Sequence, residues 1–144
     1  MKNGQLEKHE QETQDKYKIE GLTVLTAYDV YNMLVGALEG GSNYWYLFGS
    51  KTMDRVLEAT KEMKGEPTVD RILMAVQRGT LVNVYDCEND EKLGTLTPES
   101  WAKAEKLMMQ KHRSHFGDIL QENDDATTAD VFFQLAVIGE LTYG

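Results

Sequence analysis

Two histidines and a carboxylate stand at a spacing that can bind a metal ion. His112, His115 and Asp118 follow one another at intervals of three residues, so an uninterrupted helix would place them on one face. Imidazole and carboxylate groups are zinc ligands, but a structural zinc site takes four of them. The cluster supplies three, and Gly117 is expected to interrupt the helix. We therefore interpret these residues as surface side chains and expect no metal ion.

Paired carboxylates further along the chain suggest a second kind of chemistry. Asp124 and Asp125 precede Asp130, and grouped carboxylates can bind divalent cations or perform acid–base catalysis. Their spacing does not match the calcium-binding loop, and no motif pairs them with a nucleophile. Acidic residues also favour the N-terminus of a helix, where Thr127 and Thr128 would be suitable caps. We favour this structural interpretation and expect no cofactor.

An aromatic segment, residues 43–48, is the third candidate. In an extended chain its side chains would alternate between two faces, formed by Tyr44, Tyr46 and Phe48 and by Asn43, Trp45 and Leu47. Both faces are largely apolar, so packing in the core is the favoured interpretation. The alternative is a recognition surface, because tyrosine and tryptophan are frequent interface anchors.

The periodicity of apolar side chains predicts the elements that position these residues. Helices are expected to begin near Thr26, at Pro67, at Thr97 and within 125–128, and apolar side chains from Met53 to Met63 mark one further helix that closes near Gly65. Residues 115–120 can add a single helical turn. Two short strands, 81–85 and 92–96, are joined by the acidic loop 86–91 and predict a β-hairpin. The predicted fold class is α+β, with four to five helices around a small antiparallel sheet that includes this hairpin.

The domain organisation follows from composition. Residues 1–16 are almost wholly polar and charged, so they are predicted to form a flexible tail. Residues 17–144 are predicted to form a single α+β domain, a common size for one hydrophobic core. Apolar runs long enough for a membrane helix or a signal peptide are missing from the sequence. We therefore expect a cytoplasmic protein that does not enter a membrane.

The net charge of −9 is concentrated near one end of the sequence. Residues 118–144 contain six acidic side chains and no lysine or arginine. Direct nucleic-acid binding is not expected, because it requires a basic footprint. The acidic stretch either favours solubility and helix N-termini or forms a surface for a basic protein partner.

Four phrases of the sequence are similar to known proteins. They are ALEGGSNYWY (37–46), GTLVNVYDCENDEKLGTLT (79–97), HFGDIL (115–120) and NDDATTADVFFQLAVIGELTYG (123–144). Together they resemble a family of small uncharacterised proteins from bacteriophages and prophage-rich bacterial genomes. The resemblance covers roughly residues 23–144. It implies a phage or mobile-element accessory protein, and it carries over no catalytic residue.

Three hypotheses about function follow. The first is a non-enzymatic protein that binds a host or phage protein through an acidic surface. The second is a small-ligand-binding protein or enzyme, with a cleft between the aromatic segment and the Asp124/Asp125 loop; its site would include Asn43, Tyr44, Trp45, Tyr46, His115, Asp124 and Asp125. The third is a structural homo-oligomer that packs through an apolar helix face. Because the sequence lacks a catalytic motif, we favour the first hypothesis.

Overall fold

Helices surround a small antiparallel sheet in the computed structural model, which describes residues 4–144, with side chains from residue 7 onwards. Within that range the α-helices are α1 Gly4–Lys16, α2 Ala27–Gly36, α3 Ser50–Ala59, α4 Thr68–Gln77, α5 Ser100–Lys111, α6 Arg113–Leu120 and α7 Ala126–Val137. The strands are β1 Tyr46–Leu47, β2 Val82–Asp86 and β3 Lys92–Leu96. A π-helical turn, Ala37–Gly41, extends α2, and a 3₁₀ turn, Lys61–Met63, follows α3.

The sheet has the order β1–β2–β3, and both pairs of strands are antiparallel. β2 and β3 form the predicted hairpin, in which Val82 lies opposite Leu96 and Val84 lies opposite Gly94. Val82, Val84 and Leu96 are fully buried and direct the sheet against the helices. The α+β fold class and the hairpin are therefore confirmed.

Helix α7 runs through the centre of the molecule. All ten residues from 128 to 137 are buried, as expected for a helix covered on every side. Two glycines let neighbouring elements approach it. A Cβ atom at Gly94 would lie 2.0 Å from the carbonyl oxygen of Val137, and one at Gly36 would lie 2.8 Å from the Cβ of Ala129. Strand β3 and helix α2 therefore pack against α7 at close range.

Side-chain hydrogen bonds cap the N-termini of helices α2 and α7. The hydroxyl of Thr26 accepts a hydrogen bond from the Asp29 backbone N–H, and the Asp29 carboxylate accepts one from the Thr26 N–H. Asp125 caps α7, since its Oδ1 accepts a hydrogen bond from the Thr128 N–H at 2.9 Å. These bonds satisfy N–H groups that have no partner inside the helix.

The predicted number of helices, four to five, is wrong, because the chain forms seven within residues 4–144. Helix α6 is one addition. It continues through Gly117, where a Cβ atom would have no neighbour within 4 Å, so the glycine does not interrupt the helix. Helix α1 is the other, within the predicted tail. Its His9 ring meets the rings of Tyr28 and Tyr31 edge-on, at 5.7 and 6.1 Å.

Composition alone did not indicate α1, because contacts of individual side chains hold it. Thr13 is buried and its hydroxyl donates to the His9 carbonyl oxygen, while Lys16 forms an ion pair with Glu66 at 2.6 Å. Residues 1–3 of the predicted tail lie outside the described residues. The flexibility of the segment stays a prediction.

Candidate functional site

The aromatic segment starts from a tight junction with α7. After the π-helical turn, Ser42 donates its N–H to the carbonyl oxygen of Ala37 at 2.9 Å. A Cβ atom at Gly41 would lie only 2.3 Å from the carbonyl oxygen of Ala126, so the absence of a side chain permits this contact. Residues 42–45 then form a turn, and only Tyr46–Leu47 are extended. The alternation expected for an extended segment therefore does not occur.

Asp130 of α7 is the polar centre of this region. Its Oδ1 accepts hydrogen bonds from the Ser42 hydroxyl and the Trp45 indole N–H, both at 2.7 Å. Its Oδ2 accepts from the Tyr44 hydroxyl at 2.6 Å and from the Gln134 amide at 3.1 Å. Four donors occupy both oxygens and compensate the burial of the carboxylate. Asp130 thus fixes the turn to α7.

The segment 138–144 closes over the same centre. The side-chain oxygen of Gln134 accepts from the backbone N–H groups of Thr142 and Tyr143, at 2.9 and 3.0 Å. The Tyr143 ring stacks on the Trp45 indole with a centroid distance of 5.2 Å and an interplanar angle of 8°. The Tyr143 hydroxyl donates to Oδ2 of Asp86 in the hairpin at 2.5 Å. Trp45 is consequently only 1% exposed.

This closure should depend on pH at both extremes. The hydrogen bond from Tyr143 holds the pKa of Asp86 below its ordinary value, and the same bond raises the pKa of Tyr143 to about 12. The contribution of Asp86 is present above its unfolded pKa of ~3.9 and is lost as pH falls through the lowered value. The contribution of Tyr143 is full below ~10 and is lost as pH rises through the raised value.

We therefore expect Tyr143→Phe to lower the free energy of unfolding most between about pH 4 and pH 10. Below and above that window, denaturant titrations of the variant and the wild type should converge. A difference that stays constant across the whole range would contradict a stabilising bond between Tyr143 and Asp86.

An apolar groove lies on one side of the aromatic segment, with a volume of about 880 Å³. It is bordered by the π-helical turn, the aromatic segment and the beginnings of α3 and α4. Its apolar wall consists of Leu38, Tyr46, Leu47, Phe48, Met53, Pro67 and Val69. Among the lining residues that the structure describes, Glu39 is the only charged one. Leu47 is 41% exposed and reaches into this groove.

A second concavity, the Asp130 recess, shares no lining residue with the groove and has a volume of about 520 Å³. Tyr44, His115, Asp130, Gln134, Leu141 and Tyr143 are among its lining residues. Burial and the hydrogen bond to Asp130 raise the pKa of Tyr44 to about 12. Tyr44 as a residue is nevertheless half exposed. His115 places its Nδ1 3.0 Å from the Thr128 hydroxyl.

The candidate residues from the sequence are thus divided among several places. Asn43 and Tyr46 line the apolar groove, Tyr44 and His115 line the Asp130 recess, and Trp45 is buried. Asp124 and Asp125, the other side of the expected cleft, line neither the apolar groove nor the Asp130 recess. Asp125 is occupied as the cap of α7.

Asp124 borders a third cavity of about 200 Å³ together with Asp29 and Glu122. Burial raises the pKa of Asp124, and the neighbouring carboxylates of Asp29, Asp125 and Glu122 raise it further. Within residues 7–144, no group of three or more His, Cys, Asp or Glu side chains could hold a metal ion. Helices long and apolar enough to span a bilayer are likewise missing from residues 4–144.

Sequence reasoning missed the roles of Asp130 and Gln134. The signal was present in the phrase ADVFFQLAV, where these are the polar residues of an otherwise apolar helix and stand four positions apart. Side chains at that spacing share one face of a helix. Polar groups on a buried helix need hydrogen-bond partners, and the tryptophan and tyrosines of the aromatic segment were available donors.

Chemically, the arrangement is suited to binding. Asp130 has its acceptor positions filled by four donors, so it acts as an anchor for the turn. Tyr44 in the recess and the apolar side chains of the groove offer contact surface near that anchor. Comparison of the chain with models of protein families, with curated proteins and with solved structures finds no match.

Proposed function

We propose that the chain is a non-enzymatic protein that binds a partner protein, and that the apolar groove receives an apolar segment of this partner. The main support for this proposal is the groove of about 880 Å³, with its wall of aliphatic and aromatic side chains. Exposed apolar concavities of this kind are typical of interaction sites. Leu47 and Tyr46 supply contact surface in the groove, next in sequence to the buried Trp45.

The chemistry of the partner follows from charge. The chain carries a net charge of −9, and the groove itself offers the carboxylate of Glu39 among its described lining residues. An acidic surface attracts basic segments and accelerates their association. We therefore infer that the partner segment combines apolar side chains with lysine or arginine. That this partner is a host or phage protein is part of the proposal and is supported by the sequence resemblance alone.

Selection from a random peptide library of balanced charge tests this proposal without knowledge of the partner. We expect the immobilised protein to enrich peptides that combine apolar and basic residues, and a free enriched peptide to compete with the library. Enrichment of acidic peptides, or no enrichment over an unrelated acidic protein of similar size, would contradict it.

A small-molecule ligand is the second candidate for the groove, because the volume lies in the range of ~300–1,000 Å³ that such ligands occupy. A small molecule and a peptide would depend on different residues of the groove. A compact ligand would contact the inner wall near Met53 and Val69 and would not require Leu47 at the edge. Substitution of Leu47 therefore separates the two occupants.

A further inference from the structure

We propose that the Asp130 recess is a binding site for a guanidinium group, such as the arginine side chain of a bound protein segment. The site is distinct from the apolar groove, since the two share no lining residue. Its volume of about 520 Å³ is ample for a guanidinium group and the methylene chain behind it.

The walls of the recess match an amphipathic cation. Tyr44 is 50% exposed and Leu141 is 43% exposed, and both line the opening together with Val131. Apolar walls of this kind can cover the methylene groups of an arginine side chain. Among the described residues that line the recess, none is a lysine or an arginine. A cation can therefore enter without displacing an existing ion pair.

The electrostatic field of the recess comes from Asp130. Asp130 is 7% exposed, and within residues 7–144 no lysine or arginine forms an ion pair with it. Its four hydrogen-bond partners are all uncharged donors, from Ser42, Tyr44, Trp45 and Gln134. Among the described residues, the carboxylate is thus satisfied in hydrogen bonds by uncharged donors and is not paired with a lysine or an arginine. In a partly buried site this charge attracts cations more strongly than it would in water.

Tyr44 is the residue that contacts the ligand. Its hydroxyl donates a hydrogen bond of 2.6 Å to Asp130, which increases the electron density of the ring and its attraction for a cation. Guanidinium is favoured over ammonium because it is planar, weakly hydrated and stacks on aromatic rings.

Titration with N-acetyl-arginine amide tests the proposal, with N-acetyl-citrulline amide as an uncharged probe of the same shape. The indole N–H of Trp45 donates to Asp130, so its NMR resonance reports on the recess. The resonance of Trp101, which is buried in α5, serves as an internal control. We expect a saturable shift of the Trp45 resonance at about millimolar arginine amide, an affinity suited to a small fragment. Citrulline amide should cause none.

Two variants test whether the shift of the Trp45 resonance comes from binding of arginine amide in the recess. Because Tyr44 is half exposed, Tyr44→Leu should fold, and it should weaken binding of arginine amide by about fivefold, as expected for loss of a cation–π contact. Leu47→Lys lies in the groove and should leave the affinity unchanged. An equal response to citrulline amide, an unchanged affinity in Tyr44→Leu, or a lost response in Leu47→Lys would each overturn the proposal.

Discussion

Trp45→Ala is expected to destabilise the fold by about 3–5 kcal/mol, the usual range for removing a large buried aromatic side chain. The indole is 1% exposed, stacks on Tyr143 and lies 5.3 Å from the ring of Phe133. Its removal leaves a cavity at the junction of α7 and the sheet. It also leaves Oδ1 of Asp130 without one of its two donors. The thermal midpoint should fall by about 10 °C or more for a chain of this size.

Trp45→Phe separates the contribution of ring packing from that of the indole hydrogen bond, because it keeps most of the ring volume and removes the N–H donor. We expect it to cost about 1–3 kcal/mol, the range for leaving a buried acceptor less satisfied. A thermal melt and a denaturant titration of both variants measure these values. If Trp45→Ala left the midpoint unchanged, Trp45 would be a recognition residue and not part of the core.

The second large effect is expected from a single methyl group at Gly41. In Gly41→Ala the new Cβ would lie 2.3 Å from the carbonyl oxygen of Ala126. The contact is with backbone, so rotation of a side chain cannot relieve it. The π-helical turn would have to move away from α7, which would also strain the bond between Ser42 and Asp130. We expect a loss of about 1–3 kcal/mol or more, as for other overpacked sites.

The adjacent glycine provides a matched control. A Cβ atom at Gly40 would have no neighbour within 4 Å, and Gly40 does not adopt a positive φ. Gly40→Ala should therefore be neutral or stabilise the protein by up to ~1 kcal/mol through the unfolded chain. Chemical denaturation of the two variants measures the difference. Equal stabilities would show that the turn does not pack against α7 as described.

The parts of the fold that could be predicted from the sequence are those formed by residues close together in the chain. Thr26 with Asp29, the strands on either side of the 86–91 loop and the cap at Asp125 depend on residues a few positions apart, and all three are present in the structure. Helix α1 could not be predicted in this way. It is held by contacts of His9 and Lys16 with residues far away in sequence, which composition does not reveal.

The candidate site was harder to predict from the sequence, again because its contacts join residues that are far apart in the chain. Ser42, Tyr44 and Trp45 were visible as a cluster, but their common partner Asp130 lies more than 80 residues further along the chain. The sequence analysis placed Asp124 and Asp125 in the site, because they are aspartates that lie close to Asp130 in the sequence. Only the position of Asp130 on the buried helix α7, one turn before Gln134, distinguishes it from them.

The affinity of one enriched peptide for Leu47→Lys and for Leu57→Lys tests the proposed function most directly. The two leucines are almost equally exposed, at 41% and 42%, but only Leu47 lines the apolar groove. If the groove binds the peptide, Leu47→Lys should weaken binding at least about tenfold, the effect of losing ~1.4 kcal/mol at an interface anchor. Leu57→Lys should leave the affinity within about twofold of the wild type. Equal affinities of the two variants would contradict the assignment of the groove as the partner-binding site.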